Sequence, residues 1–225
     1  MQTCSSLSIT QQNGLFRFTL AEIEYLCDLF RIPDPFLTSR RYKLPARKAL
    51  CVLLFRMSGT RSVIDVSMFF GISPTYVSTI WIELVELLVS LWGNIVRFNK
   101  QRMITSREKY ALAIRTCGTP LKNCLGFIDG TNREISRPSV AQGVFYSGHK
   151  HYHSFKFQAW VTPDGLISNI FGPIPGARHD LLLWSKSKIE EHIFSTPEFE
   201  AFCVFGDQGY HNAGHLLSPF PGLLS

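Results

Sequence analysis

Two aspartates sit where residue type and spacing could support chemistry. In Cys124-Leu125-Gly126-Phe127-Ile128-Asp129-Gly130-Thr131, the apolar residues read as a short buried strand. A carboxylate stands at its end, followed by a glycine that lets the chain turn at once. Phe202-Cys203-Val204-Phe205-Gly206-Asp207-Gln208-Gly209-Tyr210 repeats the pattern: apolar strand, acid, flanking glycines. Two such strands side by side would bring Asp129 and Asp207 together. Close carboxylates repel unless a cation lies between them, and hard oxygen donors suit Mg²⁺ or Mn²⁺. Two such ions roughly 3.5–4 Å apart can clamp the attacking and leaving oxygens of a phosphoryl transfer. The competing reading of the first stretch is an Asp-Gly hairpin turn whose acid accepts backbone N–H groups.

Other constellations are weaker. His149, His151 and His153 alternate, so on a strand they share one face and could bind Zn²⁺; an exposed polar strand face has the same spacing. Ser154, Ser185 and the cysteines lack the neighbours of an activated nucleophile, and no Gly-x-x-x-x-Gly-Lys phosphate loop occurs.

The elements that must position the aspartates begin after a polar stretch, residues 1–18, read as a loose end. Thr19 and Glu22 have capping-box spacing, which starts a helix running to about Phe30. Helices are expected over 46–58 and 62–70. A turn at Gly71-Ile72 follows, then a long helix from Pro74 to about Trp92, N-capped by Ser73. Helix, glycine turn and capped second helix over about 60–92 form a helix-turn-helix pattern. Its second helix offers Thr75, Tyr76, Ser78 and Thr79 to phosphates or bases, and Arg40, Arg41 and Lys43 lie in the densest basic cluster. That helix also carries Glu83 and Glu86 and no Lys or Arg before Arg97, so the alternative is an ordinary helical subdomain. A further helix from Thr105 or Ser106 to Thr116 closes a helical region, 19–118.

Beyond residue 118 the period changes to that of strands. The first strand ends at Asp129 and is followed by a polar insertion, 132–147. A strand over 153–161, a turn at Thr162-Pro163-Asp164-Gly165 and a partner strand over 166–171 make a hairpin, broken by the prolines at 173 and 175. A helix starts at Asp180, which could cap it, and the Asp207 strand comes last. The expected fold class is α/β. It combines an incomplete RNase H-like mixed sheet over 124–225 with an all-α subdomain in front.

Composition sets the bounds. Residues 1–123 carry 16 Lys+Arg against 8 Asp+Glu, a net +8, whereas residues 124–225 carry 7 against 9, a net −2. A basic front and an acid-bearing back suit a grip on a polyanion beside a cation site. The six cysteines are scattered with no Cys-x-x-Cys and read as buried thiols of a reducing compartment. The N-terminus lacks the pattern of a signal peptide, and the apolar run 84–96 is too short for a bilayer and contains Glu86. The expectation is an intracellular protein, nuclear or cytoplasmic, with no membrane partner.

Six short motifs in order carry a resemblance. They are Ile128-Asp129-Gly130-Thr131, Tyr146-Ser147-Gly148-His149-Lys150, Val161-Thr162-Pro163-Asp164-Gly165, Pro175-Gly176-Ala177-Arg178-His179-Asp180, Gly206-Asp207-Gln208-Gly209-Tyr210 and Leu216-Leu217-Ser218-Pro219-Phe220. Over about residues 124–221 the chain resembles the DDE superfamily endonucleases of PIF/Harbinger-type transposases and their domesticated relatives. The resemblance implies metal-dependent cleavage of DNA phosphodiesters, with Asp129 and Asp207 as the first two metal-binding acids. Asp180 matches a recurrent family acid, expected behind the metal ligands or as a helix cap. A separate DNA-binding partner protein is a further implication. The family's third acid, a glutamate on a later helix, has no counterpart here, since no Asp or Glu follows Asp207. The expectation is a truncated copy with weak or absent nuclease activity, or a non-enzymatic DNA- or partner-binding scaffold.

Overall fold

The computed structural model describes residues 7–219. The chain divides into two compact units, Met1–Gly93 and Asn94–Ser225. This division falls earlier than the boundary near residue 118 read from the change of period. Cys4, one of the six cysteines, and Phe220 of the last motif lie outside the described residues.

The first unit is built from locally signalled helices. Residues expected as a loose end instead hold α1 (Ile9–Phe16), where Ser8 and Gln11 form a reciprocal capping box and Phe16 is fully buried. Helix α2 (Leu20–Leu29) starts at Thr19 with the expected box to Glu22. Two short strands, β1 (Phe36–Leu37) and β2 (Lys43–Leu44), pair antiparallel. They lead into α3 (Ala46–Met57), whose first N–H donates to Asp34 Oδ1. Helix α4 (Val63–Phe70) is boxed by Ser62 and Asp65 and ends at Gly71, whose φ of 63° favours glycine. Helix α5 (Pro74–Arg97) follows, with Ser73 Oγ accepting the Tyr76 N–H. Val77, Ile80 and Leu84, at helical spacing on α5, are buried in a core with Phe16, Ile23, Leu50 and Val66.

Helix α5 straddles the division between the units. The stretch Pro74–Thr116 is, among the described residues, long and apolar enough to cross a membrane by length and composition. The shorter apolar run 84–96 undercounted it.

In the second unit, α6 (Lys100–Thr116) begins earlier than Thr105, because Asn99 caps it by accepting the Arg102 N–H. A six-stranded mixed sheet follows. Its strands are β3 (Cys124–Glu134), β4 (Tyr146–Ser147), β5 (Tyr152–Val161), β6 (Ile167–Pro175), β7 (Cys203–Gly206) and β8 (Leu216–Leu217). The path runs β4-β5-β3-β7-β8, with β6 also on β5. Strand β5 is antiparallel to β3, β4 and β6; β7 lies parallel to both β3 and β8.

Three expectations change. Strand β3 does not end at Asp129; it pairs with β5 as far as Glu134, so there is no Asp-Gly hairpin and part of the polar insertion is strand. Strand β6 passes through the two prolines, with its register shifting between Lys156 and Gln158. Of the three histidines only His153 is on β5. His151 has a φ of 60° before the strand begins, so the three do not line one strand face.

The sheet's core gathers Leu125, Ile128, Trp160, Val204, Tyr210 and Leu216 with Met103 and Tyr110 of α6. Trp160 stacks on Phe98 at 5.9 Å and on Phe194 at 5.9 Å; Phe194 belongs to a π-helical turn, Glu190–Phe194. At the β5–β6 turn, Asp164 accepts hydrogen bonds from Tyr110 (2.5 Å), Thr162 (2.7 Å) and Arg102 (3.1 Å), which fastens α6 to the hairpin. Helix α8 (Asp180–Ser187), which follows a four-residue α7 (Gln142–Phe145) in chain order, contributes Trp184 to the same core.

Candidate functional site

Parallel pairing of β3 and β7 joins the two acid-bearing segments. Phe127 is opposite Phe205 and Ile128 is opposite Gly206, so Asp129 and Asp207 are the next residues on adjacent strands. Both are exposed. They differ in support. Asp129 is held inside β3, with Ala159 of β5 as its register partner, while Asp207 is the first residue past the end of β7. The Asp207 Oδ1 accepts the Gly209 N–H at 3.0 Å, which shapes the turn that follows.

Asp180 reaches the same place from α8. It does not cap that helix: the N-cap position is His179, which makes no side-chain cap bond, and Asp180 is the first helical residue. Its carboxylate enters the space left by two glycines. A Cβ on Gly130 would lie 2.0 Å from Asp180 Oδ1, and a Cβ on Gly209 would lie 3.1 Å from both Asp180 Oδ2 and Asp207 Oδ1. Gly130 thus serves a close approach rather than a turn. Lys156 of β5 lies 3.0 Å from Asp180 Oδ1, the two side chains only 11% and 21% exposed, so this carboxylate already has a cation.

Tyr210 lies beneath the acids. It is fully buried, and its hydroxyl has no hydrogen-bond partner among the described residues. Burial pushes its phenol far above the ordinary value, and the charges of Asp180, Asp129 and Asp207 push the same way. It is therefore a neutral O–H donor beside three carboxylates. The motif Gly206-Asp207-Gln208-Gly209-Tyr210 included Tyr210 without giving it a role, and no sequence signal marked Lys156. The glycines flanking Asp207 and following Asp129 were the available clue, since they mark close approach as well as turns.

Among the described residues, no group of three or more His, Cys, Asp or Glu is gathered so that it could hold a metal ion. This covers the three histidines expected as a zinc alternative. The Asp129–Asp207 pair remains, with exposed hard oxygens and an unpartnered hydroxyl nearby. Mg²⁺ is commonly held by one or two carboxylates with waters completing its shell, so the donor set fits a hard divalent cation.

The residues proposed to touch DNA lie in the first unit. Tyr76 stacks on Tyr42 at 4.1 Å and donates to the Lys43 carbonyl at 3.1 Å, so its ring serves packing. Thr79 donates to the Thr75 carbonyl. The same Tyr76 contact joins the start of α5 to the β1–β2 hairpin, which places exposed Thr75 near exposed Lys43 and the adjoining Arg40 and Arg41; Ser78 is half-buried. Glu83 accepts both the backbone N–H and the hydroxyl of Ser39, so one of the two acids that argued against DNA contact is used to hold the hairpin.

Residues 128–223 match the family model described as DDE superfamily endonuclease. No curated protein and no solved structure matches the chain.

Proposed function

We propose that residues 124–219 form a nuclease-derived domain of PIF/Harbinger type on an RNase H-like sheet, directed at DNA phosphodiesters. The match over residues 128–223 supports the nuclease class. The strand order β6-β5-β3-β7-β8, antiparallel on one side of β3 and parallel on the other, supports the RNase H-like reading. The observation that carries the proposal is the β3–β7 register, which sets Asp129 beside Asp207.

Asp129 and Asp207 would hold Mg²⁺ or Mn²⁺, which when bound polarises a phosphoryl oxygen and lowers the pKa of a water. The chain's own contributions are orientation and charge. Strand β3 fixes Asp129, the Gly209 N–H fixes one oxygen of Asp207, and Lys156 neutralises Asp180 so that it does not repel substrate phosphate. The basic hairpin around Arg40, Arg41 and Lys43, together with the helix-turn-helix pair α4–α5, supplies a sequence-independent grip on phosphates.

Among the described residues the β3–β7 register brings two acids together, and no cluster of three or more metal-ligating side chains forms. Cation binding is therefore expected to exceed catalysis. Isothermal titration with Mn²⁺ should show binding that is lost in Asp129→Ala and in Asp207→Ala, with plasmid nicking weak or absent. Robust Mg²⁺-dependent nicking that vanishes in Asp129→Ala would show that two aspartates suffice. No Mn²⁺ binding at all would favour the second reading, a DNA- or partner-binding scaffold without chemistry.

A further inference from the structure

Cys124 and Cys203 are register partners on the parallel strands β3 and β7. Neighbouring strands lie about 4.8 Å apart, inside the range of Cα separations that a disulfide spans. Both cysteines are unbridged, and each is close enough to shift the other's titration. Their surroundings differ. Cys124 is fully buried, with its Sγ 3.3 Å from the Gly126 carbonyl oxygen. Cys203 is partly exposed, with its Sγ 3.6 Å from the Asn123 carbonyl oxygen.

We propose that Cys124 and Cys203 are a thiol pair that closes to an interstrand disulfide on exchange with an oxidised low-molecular-weight disulfide such as oxidised glutathione. The Cys203 thiolate attacks one glutathione sulfur, forms a mixed disulfide and releases one glutathione thiolate. The Cys124 thiolate then attacks Cys203 Sγ, forms the Cys124–Cys203 bond and expels the second glutathione. Two protein thiols and one oxidised glutathione become one protein disulfide and two reduced glutathiones. Exposure favours this division of labour, since Cys203 is the sulfur that solvent reaches. The neighbouring Cys203 side chain holds the Cys124 thiol below its ordinary value, while Cys124 and burial push Cys203 up. The solvent-reachable sulfur accordingly starts the exchange slowly, and the buried one resolves it quickly. The bond would join the strand that carries Asp129 to the one that leads into Asp207, five and four residues further along the chain.

The test uses the full chain carrying Cys117→Ser, which removes an exposed thiol at the end of α6. After incubation with oxidised glutathione and removal of the excess, the thiol count should fall by two. The intact mass should drop by two hydrogens, and an unreduced digest should contain a peptide joining Cys124 to Cys203. Reduction should reverse all three. In Cys124→Ser, Cys203 should instead retain one glutathione, because the resolving thiol is missing. An unchanged thiol count at a pH high enough to ionise ordinary thiols would overturn the proposal. So would a stable glutathione adduct on Cys203 in the parent chain, or a digest in which the cross-link joins other cysteines.

Discussion

Gly130 follows Asp129 in β3 and leaves room for the carboxylate of Asp180. Its backbone is extended strand that other residues could adopt, so what it supplies is space. Gly130→Ala would set a methyl group 2.0 Å from Asp180 Oδ1 and 2.9 Å from its Cγ, which forces Asp180 off Lys156. Overpacking of this kind typically costs about 1–3 kcal/mol. The expected result is a lower denaturant midpoint with an unchanged slope, and weaker Mn²⁺ binding because Asp180 then crowds Asp207. The same reasoning explains why this glycine misled the sequence reading. A lone Asp-Gly after an apolar run is a turn signal in local terms, and the partner that demands the glycine is fifty residues further on.

At the level of elements, what could be read in advance was whatever local hydrogen bonds decide. Thr19, Ser62 and Ser73 each begin a helix where their side chains accept a backbone N–H. The apolar stretches leading to the two acids were legible as strands because burial imposes an apolar run. Long-range pairing was not. Strand β3 continues to Glu134 through Asn132 and Arg133, which have low strand propensity, because β5 supplies a complete ladder partner. Helix α6 starts at Lys100 because Asn99 is as good a cap as Thr105 or Ser106 and lies upstream of both. The Asp164 knot gives a prediction here. Burial alone would raise its carboxyl, but the bonds from Tyr110, Thr162 and the Leu166 N–H, with Arg102 beside it, outweigh that and hold it below the ordinary carboxylate value. A carboxyl depressed by folding contributes stability that is complete above its unfolded value and is lost as pH falls through its lower folded value. Unfolding free energy should therefore decline below about pH 4 more steeply in the parent than in Asp164→Asn, as urea melts across that range would show. At neutral pH the variant should be the less stable of the two.

Charge is distributed over the whole chain with the positive excess before residue 124 and the negative excess after it. If the β1–β2 hairpin meets DNA phosphates, binding should weaken with salt. Replacing Arg40, Arg41 and Lys43 together by Ala should lower the slope of log K against log[salt] by about 3, nearly equally for unrelated sequences. A slope that does not move would assign the grip to the basic residues of α6 instead. Among these, Arg102 is already committed to Asp164 and Ser168, so its substitution would mix binding with folding.

The unequal anchoring of the two aspartates has a mechanical consequence. Asp129 is a fixed jaw, clasped along β5, whereas Asp207 stands past the end of β7 with the Gly209 N–H on one oxygen and has less to hold it, which makes it the travelling jaw. An incoming ion would draw Asp207 toward Asp129 and not the reverse. Lengthening the arm by one methylene should then be tolerated at the travelling side and not at the fixed one: Asp207→Glu should keep Mn²⁺ affinity within a few-fold, and Asp129→Glu should lose it by an order of magnitude or more.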